Sequence, residues 1–294
     1  MSIIDPHHHL WNLKQVRYPW LEEEDKTNFF GDYSPLARDY LLDDYIADTR
    51  NQGLVKSVHL QAEADHTEPL AETRWLSDLA GQQDIPTAIV AYADLSDSSI
   101  ESILEQQSEF RRVRGIRQIL NYHENPLLSF TDRNFLDDDV WRRNFGLLSR
   151  FNFSFDLQLY YQQMAQAARL ATRYDDTLII LNHTGMPVER DERAIEGWRT
   201  GMKALAGCPN IKAKISGLGM TDPQWSIESI RPFVLETIEL FGVGRCMFAS
   251  NFPVDSLFSS YDTLFAAFKT IVSDFSVTEQ SRLFHDNAER YYRL

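Results

Sequence analysis

Two hydrophobic periods take turns along this chain. Eight short runs rich in β-branched, aliphatic and aromatic residues, at 2–9, 56–64, 87–95, 114–120, 152–160, 177–183, 211–217 and 246–252, read as strands. Segments with apolar residues three and four apart follow them, at 41–52, 68–80, 98–110, 133–149, 161–174, 192–205, 227–241 and 257–273, and read as amphipathic helices. Strict strand–helix alternation predicts a parallel sheet wound with helices. Eight units, with polar residues gathered at strand C-termini, favour a single closed (β/α)8 barrel over residues 1–294, and an open doubly wound sheet is the alternative. A last helical segment, 279–292, is expected to pack on the outside. One connection is long: residues 11–40, carrying Tyr18, Pro19, Trp20 and Phe29, are expected to form an aromatic lid or rim.

Composition narrows the partners. The chain has 43 acidic against 29 basic side chains, a formal charge of −14, which repels nucleic-acid backbones and acidic membrane surfaces. The expected partner is therefore a small molecule, and an anionic one remains compatible with a local basic pocket. Cys208 and Cys246 lie far apart in sequence and predict two reduced thiols. The chain opens MSIIDPHHHLW without a basic-then-apolar leader, and it has no long apolar run, so a cytoplasmic location is expected. The pattern carries nothing about oligomeric state.

Candidate chemistry clusters at strand ends. Alternation along Asp5-Pro6-His7-His8-His9 predicts that Asp5, His7 and His9 face the barrel interior and His8 the other way. An H-x-H pair at the mouth of a barrel can converge on one metal ion or one substrate carbonyl. The sixth run adds His183 at the end of LIILNHTG. The same alternation puts His59, Gln61 and Glu63 on one face, and Asn152, Ser154, Asp156 and Gln158 on another, with His59 and Asn152 at the structural end. Arg117 is expected either to pair with a carboxylate or to hold an anionic ligand, and Lys214 to pair with Asp156 or Glu63. Asn251 ends the eighth run, with Asp255 four residues on, a candidate base or a helix cap. Nucleotide-binding glycine loops, a GxSxG elbow and HExxH are all absent.

In order along the chain, IIDPHHHLW with YPWL, SVHLQAEAD with ETRWL, RGIRQILNYHENP, FDLQLY, LNHTGMP, KISGLG and SNFPVD resemble the amidohydrolase superfamily, in the branch of fuconolactonase-, rhamnonolactonase- and sulfomuconolactonase-like enzymes. That resemblance implies a (β/α)8 barrel and water attack on a lactone carbonyl. His7, His9, His183, Asn251 and Asp255 would be catalytic, and Gln61, Glu63, Arg117, Asp156, Gln158 and Lys214 would bind substrate. His7 and His9 would polarise the carbonyl directly or through one divalent ion, zinc first, held with His183; some relatives in the branch act without a tightly held metal. Two departures from the family pattern stand out. The Asp156-Leu157-Gln158 stretch replaces a usual strand-five histidine, and Asn251 stands where the strand-eight aspartate is usual, leaving Asp255 or Glu63 as base. A metal-dependent decarboxylase and a non-catalytic binding barrel are the rival expectations.

Overall fold

The computed structural model describes residues 2–294. Eight strands run β1 Ile3–His8, β2 Leu54–Leu60, β3 Ala88–Tyr92, β4 Val113–Ile119, β5 Ser154–Gln158, β6 Ile179–Leu181, β7 Ile211–Ile215 and β8 Cys246–Phe248. They pair in chain order, every pair parallel. The ring closes narrowly: a single parallel bridge joins His8 to Phe252, flanked by His9 N–H to Phe252 O and Asn251 N–H to His7 O, each 2.7 Å. Closure leaves no sheet edge and places the ends of β1 and β8 side by side.

The helices of the outer layer are α1 Leu42–Thr49, α2 Ala71–Gln83, α3 Ile100–Ser108, α4 Asp139–Phe145, α5 Tyr161–Arg173, α6 Glu192–Ala206, α7 Ile227–Phe241 and α8 Tyr261–Ile271. Several are shorter than the hydrophobic period predicts, and in two a separate turn interrupts the segment. The segment 133–149 breaks because Asp138 accepts hydrogen bonds from Val140 N and Trp141 N, starting a new helix after a 3-10 turn at Phe135–Asp137. α8 starts only at Tyr261, capped by Ser260, because Val254–Leu257 forms a separate 3-10 turn. No helix among the described residues is long and apolar enough to cross a membrane, and Cys208 and Cys246 are unbonded and buried.

Three expectations about facing are corrected. β1 carries a bulge: Asp5 pairs with Ser57 and His8 with His59, so Pro6 and His7 together oppose Val58. Proline has no N–H to give the ladder, and an extra residue there restarts the alternation. As a result Asp5 turns with His8 toward α1: Asp5 Oδ2 accepts from Tyr45 OH at 2.9 Å, and the His8 ring stacks on Tyr45 at 4.1 Å. In β2 it is Val58 and Leu60 that join the apolar plug inside the barrel, so His59 faces the other way and bonds Leu10 O at 3.2 Å. The C-terminal segment does not stay outside. Ala288 and Tyr292 enter that plug with Ile4, Val90, Ile180 and Met247, sealing the end of the barrel opposite the strand C-termini.

Candidate active site

The strand C-termini open into a cavity of about 460 Å3, in the range of small-molecule sites. Six of the polar candidates line it: His9, Glu63, Arg117, Gln158, His183 and Asn251. Several get there by leaving regular strand geometry. Glu63, His183 and Asn251 have φ of 56°, 54° and 59°, left-handed conformations that turn their side chains where a strand would not. His183 sits in a 3-10 turn just past β6 and meets Ser216 Oγ through Nδ1 at 3.1 Å. Gly217 makes room for it, since a Cβ there would lie 2.5 Å from His183 Nδ1.

The imidazoles form one cluster. His7 lies between the other two, its ring centroid 5.1 Å from His9 and 4.5 Å from His183. Burial, reinforced by Arg117 and, for His7 and His183, by Lys214, holds all three well below the ordinary histidine range, so they are neutral at pH 7. For His9 the tautomer follows from geometry. Nδ1 lies 2.8 Å from Leu60 O, which can only accept, so Nδ1 carries the proton and Nε2 presents a lone pair. His7 has both ring nitrogens buried and without a partner among the described residues, and it sits beneath the cavity wall rather than in it.

At the strand-eight rim, Asn251 Oδ1 lies 3.4 Å from His9 Nε2 while its Nδ2 donates to Asp255 Oδ2 at 2.5 Å. Two acceptors, a lone pair and an amide oxygen, therefore face each other, an arrangement that one water molecule donating to both would satisfy. Asp255 is behind this pair and does not reach the cavity. Its Oδ1 accepts from Gly219 N at 3.3 Å, in the first turn of the short helix Leu218–Thr221, and it does not cap the helix that follows it, which Ser260 caps. Burial pushes its carboxyl up to about 7, against the lowering effect of the Asn251 and Gly219 hydrogen bonds.

Among the described residues, Arg117 is the one Lys or Arg in the lining. It has no ion pair among the described residues, and its guanidinium donates to Gln61 O at 2.6 Å and Gln158 Oε1 at 3.2 Å, with Nε unpaired. Glu63 is near enough to act on it through space but is engaged by His66 Nε2 at 3.2 Å and by Gln61 Nε2. Burial works against the Glu63 charge, and the hydrogen bond and charge of His66, with Arg117, outweigh it and hold the carboxyl below its ordinary value.

Three residues expected at the substrate are spent elsewhere. Gln61 brackets Glu63, donating to its carboxylate and accepting from its N–H at 2.7 Å. Lys214 and Asp156 pair at 2.6 Å with both side chains fully buried, and Asp156 Oδ1 also accepts from Tyr292 OH and Asn182 Nδ2. That pair belongs to the sealed end of the barrel. Conversely, one buried acid escaped the sequence reading. Glu72 of α2 accepts from Ala62 N at 3.0 Å and Tyr18 OH at 3.1 Å, pinning the turn that delivers Glu63, and burial lifts its carboxyl to about 8. In sequence it looks like any helix-face glutamate.

The imidazoles do not form a ready metal cage. No group of three or more His, Cys, Asp or Glu donors among the described residues converges as ligands, and an amide, Asn251, takes the rim position where a carboxylate would offset the charge of a divalent ion.

Known proteins resemble the chain over its full length. It is 48% identical over 295 residues to the uncharacterized protein y4mH of Sinorhizobium fredii, covering 100% of this chain and 99% of that one. It is 28% identical to an L-fucono-1,5-lactonase of Burkholderia multivorans, covering 99% and 96%. A crystal structure of an amidohydrolase from Burkholderia multivorans with bound zinc superposes with a TM-score of 0.83 at 27% identity, covering 100% of both chains. The family model for amidohydrolases matches residues 4–294, from β1 to the C-terminus, and the chain belongs to the amidohydrolase family.

Proposed function

We propose that the protein opens a small lactone by water attack on the ester carbonyl. The observation that carries this reading is the pair of facing acceptors, His9 Nε2 and Asn251 Oδ1, in one cavity with a guanidinium that has no ion-pair partner among the described residues. Full-length similarity to a lactonase supports it. Water donates to both acceptors, and its oxygen attacks the carbonyl carbon while His9 Nε2 takes the proton. Negative charge develops on the carbonyl oxygen within reach of Arg117 and His183, where fixed donors in a water-poor site act most strongly. The acyl C–O bond then breaks, and the proton on His9 passes to the leaving alkoxide, giving a hydroxy acid. Glu63, held by His66, is the second candidate base.

Asp255 is assigned a positioning role, since it acts only through Asn251. As a carboxylate it accepts from Nδ2 and keeps Oδ1 turned to the water. Once protonated it can donate to Oδ1 instead, which lets the amide turn its N–H toward His9 Nε2 and fill the water site. The rate should therefore rise with pH through about 7, where Asp255 ionises. Stability runs the other way: from about pH 4 to 7 the folded chain keeps a proton that the unfolded chain gives up, so this residue lowers stability as pH rises across that window. Asp255→Asn should flatten the acidic limb of the pH–rate profile. An unchanged limb would clear Asp255 of this role.

Because the donors form no cage, turnover should survive chelation. After dialysis against a strong chelator, with metal content checked by elemental analysis, most of the kcat is expected to remain. Complete loss, restored by zinc, would replace this mechanism with a metal-dependent one.

A further inference from the structure

Above the polar floor the cavity wall changes character. Trp20 and Tyr33 pack at 5.6 Å, Tyr33 and Phe30 at 6.3 Å, Phe30 and Phe29 at 5.1 Å, and Phe29 and Phe130 at 5.7 Å, a continuous band of ring faces. Two separate loops build it, the long one after β1 and the one after β4, and Phe258 from the loop after β8 backs Phe30 at 6.1 Å.

The polar handles of the aromatic residues in this band are already used. Trp20 Nε1 donates to Ala62 O at 2.9 Å, and Tyr33 OH donates to Trp20 O at 3.2 Å. Asn28 Oδ1 accepts from Phe30 N, and Ser129 Oγ donates to Thr131 O, each at 3.0 Å. What the rings turn to the opening is carbon, and part of it is open to solvent: Phe130 is 45% exposed and Leu127 78% exposed. Glu23 stands in the same wall and disfavours a second negative charge there.

From this division we propose that the substrate is a lactone bearing a neutral apolar arm of about aryl size. Its ester head meets His9, Arg117 and His183 on the floor, and its arm lies in the aromatic band. A polyhydroxylated sugar-acid lactone fits the ring band poorly, because hydroxyls held against those faces would lose water and gain no partner from them. This inference takes the lactone reading for the chemistry, while the band itself concerns only what binds.

Binding and turnover therefore have to be measured separately. Three six-membered lactams, unsubstituted, phenyl-substituted and polyhydroxylated, serve as non-hydrolysable probes in calorimetry, with the matching lactones in a proton-release assay. The phenyl lactam is expected to bind roughly 10–100-fold more tightly than the polyhydroxylated one. Phe130→Ala, at an exposed rim position, should remove about tenfold of that preference while changing affinity for the unsubstituted ring less than about twofold. If the polyhydroxylated lactam binds more tightly, if no lactam binds, or if Phe130→Ala weakens all three alike, the inference is overturned. If the phenyl lactam leads but no lactone is opened, the apolar-arm inference stands and the hydrolytic reading falls.

Discussion

Replacing His9 with alanine is expected to lower kcat/KM for a turned-over lactone by about 10²–10⁴-fold, the usual worth of a positioned acid–base group. His183→Ala should fall in the same range, because it removes the ring opposite the water site that faces the developing charge. Neither change should unfold the barrel. Each ring makes a single side-chain bond to its support, His9 to Leu60 O and His183 to Ser216 Oγ, and both sit at the open mouth rather than in the apolar plug. Far-UV circular dichroism and Tm should stay near those of the parent while turnover disappears. The double variant should be little worse than either single one, since both groups serve one transition state. Near-normal turnover in both single variants would remove the proposed mechanism. A loss accompanied by unfolding would be resolved by His9→Gln, which keeps a group able to bond Leu60 O but cannot accept the water's proton.

The barrel itself was legible because its signal is repeated eight times and each connection obeys the same rule. The direction of individual side chains was less so, and β2 shows why. In a strand buried on both faces, alternation says which residues travel together but not which set faces in. In sequence His59 and Gln61 look inward-pointing, yet Val58 and Leu60 fill the interior, packed with Ala288 and Tyr292, which arrive there from the far end of the chain. Glu63 reaches the cavity by a left-handed turn, which is invisible in a hydrophobic pattern. Asp5 was misplaced for a related reason. Pro6 does signal a disrupted ladder, but only the pairing with β2 shows that the extra residue swings Asp5 toward Tyr45 and Tyr261. The three imidazoles came together as expected because all lie within two residues of a strand end. The aromatic wall could be anticipated from Trp20 and Phe29, whereas Phe130 and Phe258 sit in loops whose course depends on what they pack against.

The second large effect should come from the sealed end of the barrel. Lys214→Met leaves the Asp156 carboxylate without its cation at a site where both side chains are fully buried, and such a break costs about 3–5 kcal/mol. For a chain of this size each kcal/mol lowers Tm by roughly 2–4 °C, so a fall on the order of 10 °C is expected in scanning calorimetry. Removing both charges should cost much less. In Lys214→Met/Asp156→Leu the desolvation of two ions is relieved at once, and the remaining loss is the pair of hydrogen bonds from Tyr292 OH and Asn182 Nδ2. The double variant should therefore melt above Lys214→Met. Its chemistry should also survive, with kcat within a few fold of the parent, because neither residue lines the cavity. If instead the double variant retains stability but loses turnover, the ion pair reaches the reacting groups after all. Lys214 lies close enough to depress His7 and His183 by its charge, and the route would then run through those rings.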